Sequence, residues 1–381
     1  MFDIKRKFSS QKKGVSINYA LCSMLYALCS MLLVSCGDVT APAPPGGTRT
    51  DAHSVRPGQL KKVSYTDLPG WRDDDVRYAL KAFRNTCRAK ISYAGRVIPD
   101  RYLLEEKCQL MPSESADIPT VRAWFESHFQ PYKVYNDDGG TKGTFTGYYS
   151  PVVNACRTQT ARCSAPVMDT PTDGRNYKGV DSKTIVKNRI GRVIYWINPI
   201  DLQDMGSATL ILEDGTRVKL NVASTNDLPF NGIGGQLMKR GIRPPDGYGM
   251  KSVRAYLKQN PALGQELVDN NPRYVYYRES PNLDVIGTMG IPISKIRTIA
   301  VDTGIYTLGM PMFIDTYLSD NSKFQRLMIA QDTGGAIKGW IRADIFFGVG
   351  DDAFEYAQGQ YSSGEMYLLM PKQYQYVKPS W

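Results

Sequence analysis

A glycine-rich run near the C-terminus holds the residues that are best suited to chemistry. Between residues 331 and 350 two aspartates, Asp332 and Asp344, stand among five glycines and a series of apolar residues. Glycine permits tight turns and close approach of the backbone to a ligand. A carboxyl group in apolar surroundings can act as an acid near neutral pH, because burial raises its pKa. The run therefore predicts a carboxylate site, and the alternative is two aspartates that only cap turns.

The histidine content excludes most other catalytic chemistries. The chain has two histidines, His53 in a Pro- and Gly-rich segment and His128 on an aromatic helix face, where a core or rim position is expected. The sequence therefore offers almost no histidine for a Ser-His-Asp triad or for a histidine zinc site. No phosphate-binding or dinucleotide-binding motif follows a predicted strand. An enzyme with this sequence would depend on carboxylates, and we expect no metal and no cofactor.

A pair of Asp-Thr-Gly tripeptides, at Asp302 and Asp332, raises one alternative. Aspartic proteases use two such loops, whose carboxyl groups share a proton. Thirty residues cannot hold the separate lobes that bring the two loops together in a single-chain protease. The residues that follow each glycine, Ile305 and Gly335, also differ from the expected Ser or Thr. The spacing therefore argues against a protease.

The elements that must position these residues are predicted to be mostly strands. Apolar residues recur at helical spacing in 73–87 and 118–129, and two shorter helices fit 231–240 and 252–259, closed by Gly241 and Pro261. Tyr, Val and Ile runs bounded by turn residues predict the strands. Their ranges are 143–149, 192–197, 209–213, 216–222, 274–278, 296–301, 311–316, 326–331, 343–347 and 366–370.

A hairpin is indicated at Asp214-Gly215, which lies between two β-prone runs. Glycine readily takes the positive φ that a tight turn needs. In the second arm, residues 217–222, apolar even-numbered positions alternate with polar odd-numbered positions. We expect the apolar positions to be buried and Arg217, Lys219 and Asn221 to face water.

The N-terminal 35 residues have the organisation of a secretory signal. Five basic residues precede an apolar run, which ends in Leu-Val-Ser before Cys36 and is short for a membrane span. This arrangement resembles a bacterial lipobox and predicts lipidation of Cys36; an uncleaved anchor helix is the alternative. Residues 36–60 are rich in Pro and Gly and predict a flexible tether. Both alternatives place the rest of the chain outside the cytoplasm.

Charge and cysteine content agree with export. Residues 1–35 hold five Lys or Arg and one Asp, so the remainder keeps +6 of the net charge of +10, which is too little to indicate a nucleic-acid binder. Four cysteines follow the tether, an even number that suggests two disulfides outside the cytoplasm. Proximity in sequence favours Cys87–Cys108 and Cys156–Cys163 among the three pairings. Four free thiols are the alternative.

An ordered series of motifs resembles the membrane-bound lytic murein transglycosylase A (MltA) family, with its C-terminal 3D domain. The resemblance covers about residues 64 to 372 in the family's order. The motifs are Leu68-Pro-Gly-Trp71, Thr146-Gly-Tyr-Tyr-Ser-Pro151, the run from Asn271 to Arg278, Arg297-Thr-Ile-Ala-Val-Asp302, Leu308-Gly-Met-Pro311, and the C-terminal run from Asp332 through Asp344 to Gly350.

The resemblance implies a mainly β fold with a few helices. A double-psi β-barrel would be assembled from residues 61–150 and 278–381, and a second β-rich domain would be inserted as residues 151–277. The substrate would lie in the groove between the two domains, which is a favoured position for ligand sites in general.

The resemblance also implies the reaction and the residues that perform it. Asp344 would protonate the oxygen between N-acetylmuramic acid and N-acetylglucosamine, then accept the proton of the muramic C6 hydroxyl as that hydroxyl closes a 1,6-anhydro ring. Asp332 would support Asp344. The implied substrate-binding residues are Thr146, Tyr148, Gly334, Gly335 and Lys338. For Tyr148 and Tyr149, core packing and sugar stacking remain equal alternatives. Arg342 is expected to point away, since its charge would oppose a raised pKa at Asp344.

Three departures from the family pattern concern substrate contacts. Met205 and Phe230 replace a usual Gln and Tyr, and one extra residue near Ala343 puts the register at risk. The expected partners are peptidoglycan glycan strands and a membrane, reached through the lipid; partnership with other cell-wall enzymes is open. Gly37 after Cys36 favours the periplasmic side of the outer membrane. A non-catalytic wall-binding lipoprotein and a water-using muramidase are the alternative functions.

Overall fold

The computed structural model describes residues 60–89, 102–203, 205–248 and 250–373, so Cys36 and the predicted signal and tether lie outside the described residues. The strands are β1 Leu60–Lys62, β2 Phe129–Val134, β3 Gly143–Ser150, β4 Val152–Cys156, β5 Ala165–Met168, β6 Val193–Ile197, β7 Ala208–Ile211, β8 Arg217–Thr225, β9 Val275–Glu279, β10 Thr298–Ala300, β11 Pro311–Tyr317, β12 Lys323–Asp332, β13 Arg342–Val349 and β14 Tyr361–Pro371. The helices are α1 Arg77–Cys87, α2 Tyr102–Gln109, α3 Ile118–His128, α4 Ser182–Asn188, α5 Pro199–Gln203, α6 Ile233–Lys239, α7 Met250–Gln259, α8 Pro261–Asp269 and α9 Asp351–Gln358.

The predicted mainly β fold with few helices is confirmed. Within this described part, no helix has the length and apolarity needed to cross a membrane.

Eight strands form the first sheet, in the order β1-β2-β14-β11-β12-β10-β13-β3. An additional pairing between β14 and β3 joins the two sides of this sheet, so that six of its strands close into a barrel. Closure leaves those six strands without a free edge between them. Two of the pairs, β10 with β12 and β13 with β3, are parallel. The double-psi arrangement of the barrel stays a prediction.

The main hydrophobic core fills this barrel and extends under α1 and α3. Alternate residues of the barrel strands point inward, among them Phe145, Phe313, Leu327 and Ile345, all fully buried. Alternation of this kind follows from the two-residue period of a strand. The opposite faces of β3 and β13 are therefore free to carry polar side chains.

The second sheet has six strands, in the order β5-β6-β4-β7-β8-β9. The chain enters it between Ser150 and Val152 and leaves it after Glu279. A separate small core joins α6, α7 and α8. The predicted hairpin is present: β7 pairs antiparallel with β8, and Gly215 at the turn has a φ of 82°. The inserted segment thus has a sheet and cores of its own.

The first helix begins later than the sequence pattern indicated. Asp73–Asp75 were expected to form its first turn, but α1 begins at Arg77. Asp74 is buried in an ion pair with Arg297, and the side chain of Asp75 accepts a hydrogen bond from the backbone N–H of Arg77. These two aspartates are thus engaged outside the helix, which is why the helix does not include them.

Pro261 has a second role that the sequence analysis missed. It follows the end of α7 as expected, but it also occupies the first turn of α8, a helix that was not predicted. Proline is tolerated there because the N–H that it lacks has no partner within the helix in any case. The short elements α2, α4, α5, α9, β2, β4 and β5 were also not predicted.

Both cysteine pairs favoured by sequence proximity are disulfides in the structure. Cys87 and Cys108 link α1 to α2, with Cα atoms 5.7 Å apart. Cys156 and Cys163 close a short loop after β4, with Cα atoms 6.1 Å apart. The first disulfide ties together helices that cover the barrel, and the second lies in the inserted segment.

A buried ion pair connects the segment before α1 to the barrel. The Arg297 guanidinium donates to both carboxylate oxygens of Asp74, at 2.7 and 2.9 Å, and the backbone N–H of Leu327 donates to the same carboxylate at 2.8 Å. The two side chains are 5% and 2% exposed. Removing one partner of such a pair leaves a buried, unpaired charge, which is strongly unfavourable.

We expect Asp74→Ala to lower the free energy of unfolding by about 3–5 kcal/mol, because it leaves the Arg297 charge unpaired. Denaturation in urea, followed by circular dichroism, measures this loss. Asp75→Ala is the control: its pair with Arg77 is partly exposed and should contribute only about 1 kcal/mol. Equal losses in the two variants would contradict a dominant role for the buried pair.

Candidate active site

Parallel pairing of β13 with β3 brings Asp344 to Thr146, although 198 residues separate them in sequence. Register partners on neighbouring strands point to the same face, and here the Thr146 hydroxyl donates to Asp344 Oδ1 at 2.6 Å. The residues on either side of Asp344, Ala343 and Ile345, are fully buried in the barrel. Asp344 therefore points outward, from a rigid, doubly paired strand.

Asp344 is held in an environment that favours its protonated form. Burial, which is partial, is the largest influence and raises the pKa of Asp344 above its ordinary value. The hydrogen bond from Thr146 and the charge of Arg342 oppose this shift, and the negative charge of Asp332 adds to it. The net result is a raised pKa on a side chain that still reaches solvent, as a general acid requires.

The expectation that Arg342 points away from Asp344 was wrong in part. Residues two apart on a strand share a face, and the charge of Arg342 lowers the pKa of Asp344. However, the guanidinium donates at 2.7 Å to the carbonyl oxygen of Ala343 and at 3.5 Å to that of Thr144, rather than to the carboxylate. Burial of Asp344 outweighs the charge.

Asp332, at the end of β12, accepts hydrogen bonds at both carboxylate oxygens. The Tyr148 hydroxyl donates to Oδ2 at 2.9 Å. At Oδ1 the donors are the Thr288 hydroxyl at 2.5 Å, the Thr288 N–H at 3.1 Å and the Thr333 N–H at 3.0 Å. Asp332 therefore connects three segments: β3 through Tyr148, the segment between β9 and β10 through Thr288, and its own loop through Thr333.

Tyr148 binds Asp332 and also lines the adjacent cleft. Its ring lies 5.2 Å from that of Phe346, and its hydroxyl is bound to Asp332. Burial, with the charge of Asp332 second, raises the pKa of Tyr148 well above its ordinary value, so the hydroxyl remains a donor. Tyr149 packs 5.2 Å from Phe354. Both tyrosines thus combine packing contacts with a position on the cleft wall.

A cleft of about 480 Å³ opens beside these residues and has walls from both sheets. Its barrel side includes Tyr148, Asp332 and Phe346, and its other side includes Ser207 and Asn221. A second cleft of about 410 Å³ shares Gly206 and Val222 with it and continues along the inserted sheet past Phe230. The two clefts are adjacent, and we refer to them together as the groove.

A larger cleft lies elsewhere in the described residues. It measures about 770 Å³ and is lined mainly by charged residues, including Asp73, Lys323 and Arg326. Neither Asp332 nor Asp344 borders it, and its floor is the Asp74–Arg297 ion pair described above. Size alone therefore does not identify the candidate site. Asp332 borders the 480 Å³ cleft, while Asp344 and Thr146 lie next to it, two residues along their strands from Phe346 and Tyr148, which line it.

Three residues expected in the groove lie to one side of it. Lys338 is exposed, and its ammonium group lies 3.3 Å from Asp302 Oδ1, while the Gly339 N–H donates to Asp302 Oδ2 at 3.0 Å. Gly334 is partly buried and Gly335 is exposed, and none of the three predicted residues borders the 480 Å³ cleft. Asp302 thus fixes the loop that follows Asp332.

The expectation that Lys219 faces water was wrong. Lys219 is 1% exposed, and its ammonium group donates to the Ser150 hydroxyl at 2.8 Å; that hydroxyl in turn donates to the Ser207 carbonyl at 3.0 Å. Burial lowers the pKa of Lys219 to about 8. The face of β8 that was expected to be exposed is covered near Lys219, where the chain passes from β3 into the second sheet. Val222, which was expected to be buried, is 45% exposed at the groove.

Two groove residues escaped the sequence analysis because no local pattern marks them. Thr288 lies in the irregular segment between β9 and β10, and its position becomes evident only from its bonds to Asp332. Asn221 was assigned to a wet face, yet its Oδ1 is buried with no hydrogen-bond partner among the described residues. The positions of both residues at the groove depend on how segments that are distant in sequence pack together.

The chain matches two family models, and together they cover most of the described residues. Residues 144–278 match the MltA specific insert domain, and residues 297–370 match the 3D domain. The first begins within β3 and ends within β9, so it corresponds to the inserted sheet with its helices. The second covers most of the barrel strands and contains both Asp332 and Asp344.

Several relatives resemble the chain over much of its length. It is 31% identical to the lytic transglycosylase LtgG of Burkholderia pseudomallei, with a TM-score of 0.60, covering 84% of this chain and 98% of that one. The Escherichia coli MltA structure with bound chitohexaose is 21% identical, with a TM-score of 0.64, covering 87% and 99% of the two chains, which supports the fold. The membrane-bound lytic murein transglycosylase A of Vibrio cholerae is 27% identical over 55% of this chain, and the match spans 60% of that relative's length.

Substitutions around Asp344 should move its pKa in opposite directions. Thr146→Val removes a hydrogen bond that favours the carboxylate, so the pKa of Asp344 should rise. Asp332→Asn removes a nearby negative charge, so the same pKa should fall. Carboxyl carbon NMR titration of Asp344, with the Asp344→Asn spectrum for assignment, measures both. A shift in the same direction for both variants would contradict the stated causes.

Proposed function

Because this chain belongs to the MltA family, with its 3D domain, we propose that it is a peptidoglycan lytic transglycosylase with Asp344 as its acid and base. One observation carries the assignment of the residue: Asp344 is a partly buried carboxyl group with a raised pKa, fixed by Thr146 on the strand face that continues, two residues along, to Tyr148 and Phe346 in the cleft wall. A general acid needs to be protonated near the working pH and within reach of the substrate.

In the proposed reaction Asp344 transfers a proton twice. It first protonates the oxygen that links C1 of N-acetylmuramic acid to N-acetylglucosamine, and that C1–O bond breaks. The Asp344 carboxylate then accepts the proton of the muramic C6 hydroxyl, whose oxygen forms the new bond to C1. The product is a 1,6-anhydro end, and Asp344 is protonated again. Intramolecular attack replaces an activated water, since the nucleophile is already held near C1.

The surroundings of Asp332 support a single catalytic carboxyl group. Glycosidases that use water or a covalent intermediate employ a second carboxylate for that step. Both oxygens of Asp332 are occupied by donors from Tyr148, Thr288 and Thr333, so Asp332 is poorly suited to attack a sugar or to activate water. Its proposed role is to hold Tyr148 and to raise the pKa of Asp344.

Glycan strands of peptidoglycan are the proposed substrate. The groove combines apolar and aromatic surfaces, from Phe346 and Phe230, with hydroxyl and amide groups such as Ser207 and Asn221. Sugars present both kinds of surface. The Escherichia coli relative carries a chitohexaose, a linear chain of similar sugars. Thr146 and Tyr148 would contact the sugar nearest to Asp344, whereas Gly334, Gly335 and Lys338, which lie to one side of the groove, are not proposed as contacts of that sugar.

A lipid on Cys36 is proposed to hold the enzyme at the periplasmic face of the outer membrane. The curated relatives are named membrane-bound. Each buried CH₂ of an acyl chain contributes about 0.8 kcal/mol, and two or more chains give stable anchoring. The segment around Cys36 is rich in Pro and Gly, which would allow the folded domains to reach glycan strands at a distance from the bilayer.

Asp344→Asn should lower the rate of product release from purified sacculi by at least about 10²–10⁴-fold, because the amide can neither donate nor accept the required protons. Mass spectrometry of the soluble products should show 1,6-anhydro ends for the wild-type protein. The control is Asp315→Asn, which alters a carboxylate on β11 that is bound to Gln325 and borders neither groove cleft.

Three outcomes would contradict the proposal in distinguishable ways. Products heavier by one water would identify a hydrolase. Binding to sacculi without soluble products from the wild-type protein would identify a wall-binding protein. Full activity of Asp344→Asn, with intact folding, would remove Asp344 from the mechanism and leave the reaction itself standing.

A further inference from the structure

Tyr361, the first residue of β14, is the most exposed of the large hydrophobic side chains in the described residues, at 79%. An isolated exposed aromatic residue needs no special explanation. Tyr361 differs because of its position. Its ring has no hydrogen bond, ion pair or ring contact with other described residues, so one broad face is free to bind a ligand.

The strand register places Tyr361 on the same face as Asp344. Thr146 pairs with Asp344 on one side and with Tyr361 on the other. Directly paired residues share a face of a sheet, and the hydrogen bond from Thr146 to Asp344 identifies that face. With neighbouring strands about 4.8 Å apart, the Cα atoms of Tyr361 and Asp344 lie about 10 Å apart.

Alternating burial confirms which way β14 presents its side chains at this point. Ser363, two residues after Tyr361, is exposed, whereas Ser362 points the other way and its hydroxyl contacts that of Thr316. On β3, Phe145 is buried as the register partner of Ser362. Tyr361 therefore projects from the outer surface of the barrel, as Asp344 does.

Tyr361 lies on the opposite side of Asp344 from Asp332. The strand order β12-β10-β13-β3-β14 puts Asp332, which borders the 480 Å³ cleft, on one side of Asp344 and Tyr361 on the other, with the short side chain of Thr146 between Asp344 and Tyr361. The rest of the barrel wall of the cleft lies further along β13 and β3, at Phe346 and Tyr148. A linear glycan that extends from Asp332 over Asp344 would continue across the ring of Tyr361.

We propose that Tyr361 is a sugar-stacking platform that binds the part of the glycan strand beyond the scissile bond. This inference rests on the proposed function. An aromatic ring offers a flat apolar face together with a polar edge, and sugar rings have apolar faces of C–H groups that can stack on it. Tyr361 would therefore contribute to substrate affinity and positioning, and the proton transfers would remain with Asp344.

The test compares Tyr361→Ala and Tyr361→Phe. Loss of the ring should raise KM for soluble glycan strands about three- to tenfold with kcat nearly unchanged, the range expected for one aromatic stacking contact. Tyr361→Phe keeps the ring and should retain a KM near that of the wild type. The matched control is Tyr317→Ala, which removes an exposed tyrosine at the end of β11 and should leave KM unchanged.

Calorimetric titration of the same strands into the Asp344→Asn protein, with and without Tyr361→Ala, separates affinity from catalysis. A weaker Kd without the ring supports the platform, and an unchanged Kd and KM overturn it. If Tyr361→Phe loses as much affinity as Tyr361→Ala, the hydroxyl rather than ring stacking binds the glycan, and the platform is wrong. A wild-type protein that binds strands but forms no anhydro product defeats the proposed function, while the titration still decides the role of Tyr361.

Discussion

Closure of the barrel by the pairing of β14 with β3 is the constraint on which the site depends. It fixes β3 between two strands, so Thr146 is held in register with Asp344 on one side and Tyr361 on the other. A shift of one residue would turn the opposite face of β3 outward and bury Thr146. Gly147 permits the tight packing of this strand, since a Cβ there would lie 2.5 Å from the ring of Phe347.

The same scaffold gives two aspartates different environments. Asp344 is partly buried and accepts one hydrogen bond; because burial outweighs that bond, the neutral form of Asp344 is favoured. Asp332 instead accepts hydrogen bonds at both carboxylate oxygens. Asp344 is thereby suited to act as an acid, whereas Asp332 is suited to hold the segments around it. The Tyr148 hydroxyl, which remains a donor, binds Asp332.

Much of the fold was predictable where a local pattern determines structure. The strand composition of residues 143–149 and the Asp-Gly turn at residue 215 identified β3 and the β7–β8 hairpin, and the aspartate run indicated the candidate site. Burial of Lys219 was not predictable, because it depends on contact with Ser150, 69 residues away. Thr288 escaped for the same reason: its partner Asp332 is 44 residues away. The resemblance to a family supplied the proposed role of Asp344, since pattern alone favoured aspartates that only cap turns.

The contact between Lys219 and Ser150 also explains how an inserted sheet can form one wall of a precise site. Ser150 ends β3, and its hydroxyl bridges the ammonium group of Lys219 on β8 and the carbonyl of Ser207 before β7. The groove wall is thereby tied to the strand that carries Thr146 and Tyr148. A buried lysine that has no acidic partner among the described residues is unfavourable, and the lowered pKa of Lys219 reflects its burial. The bond to Ser150 offsets part of this by fixing the distance between the groove wall and β3.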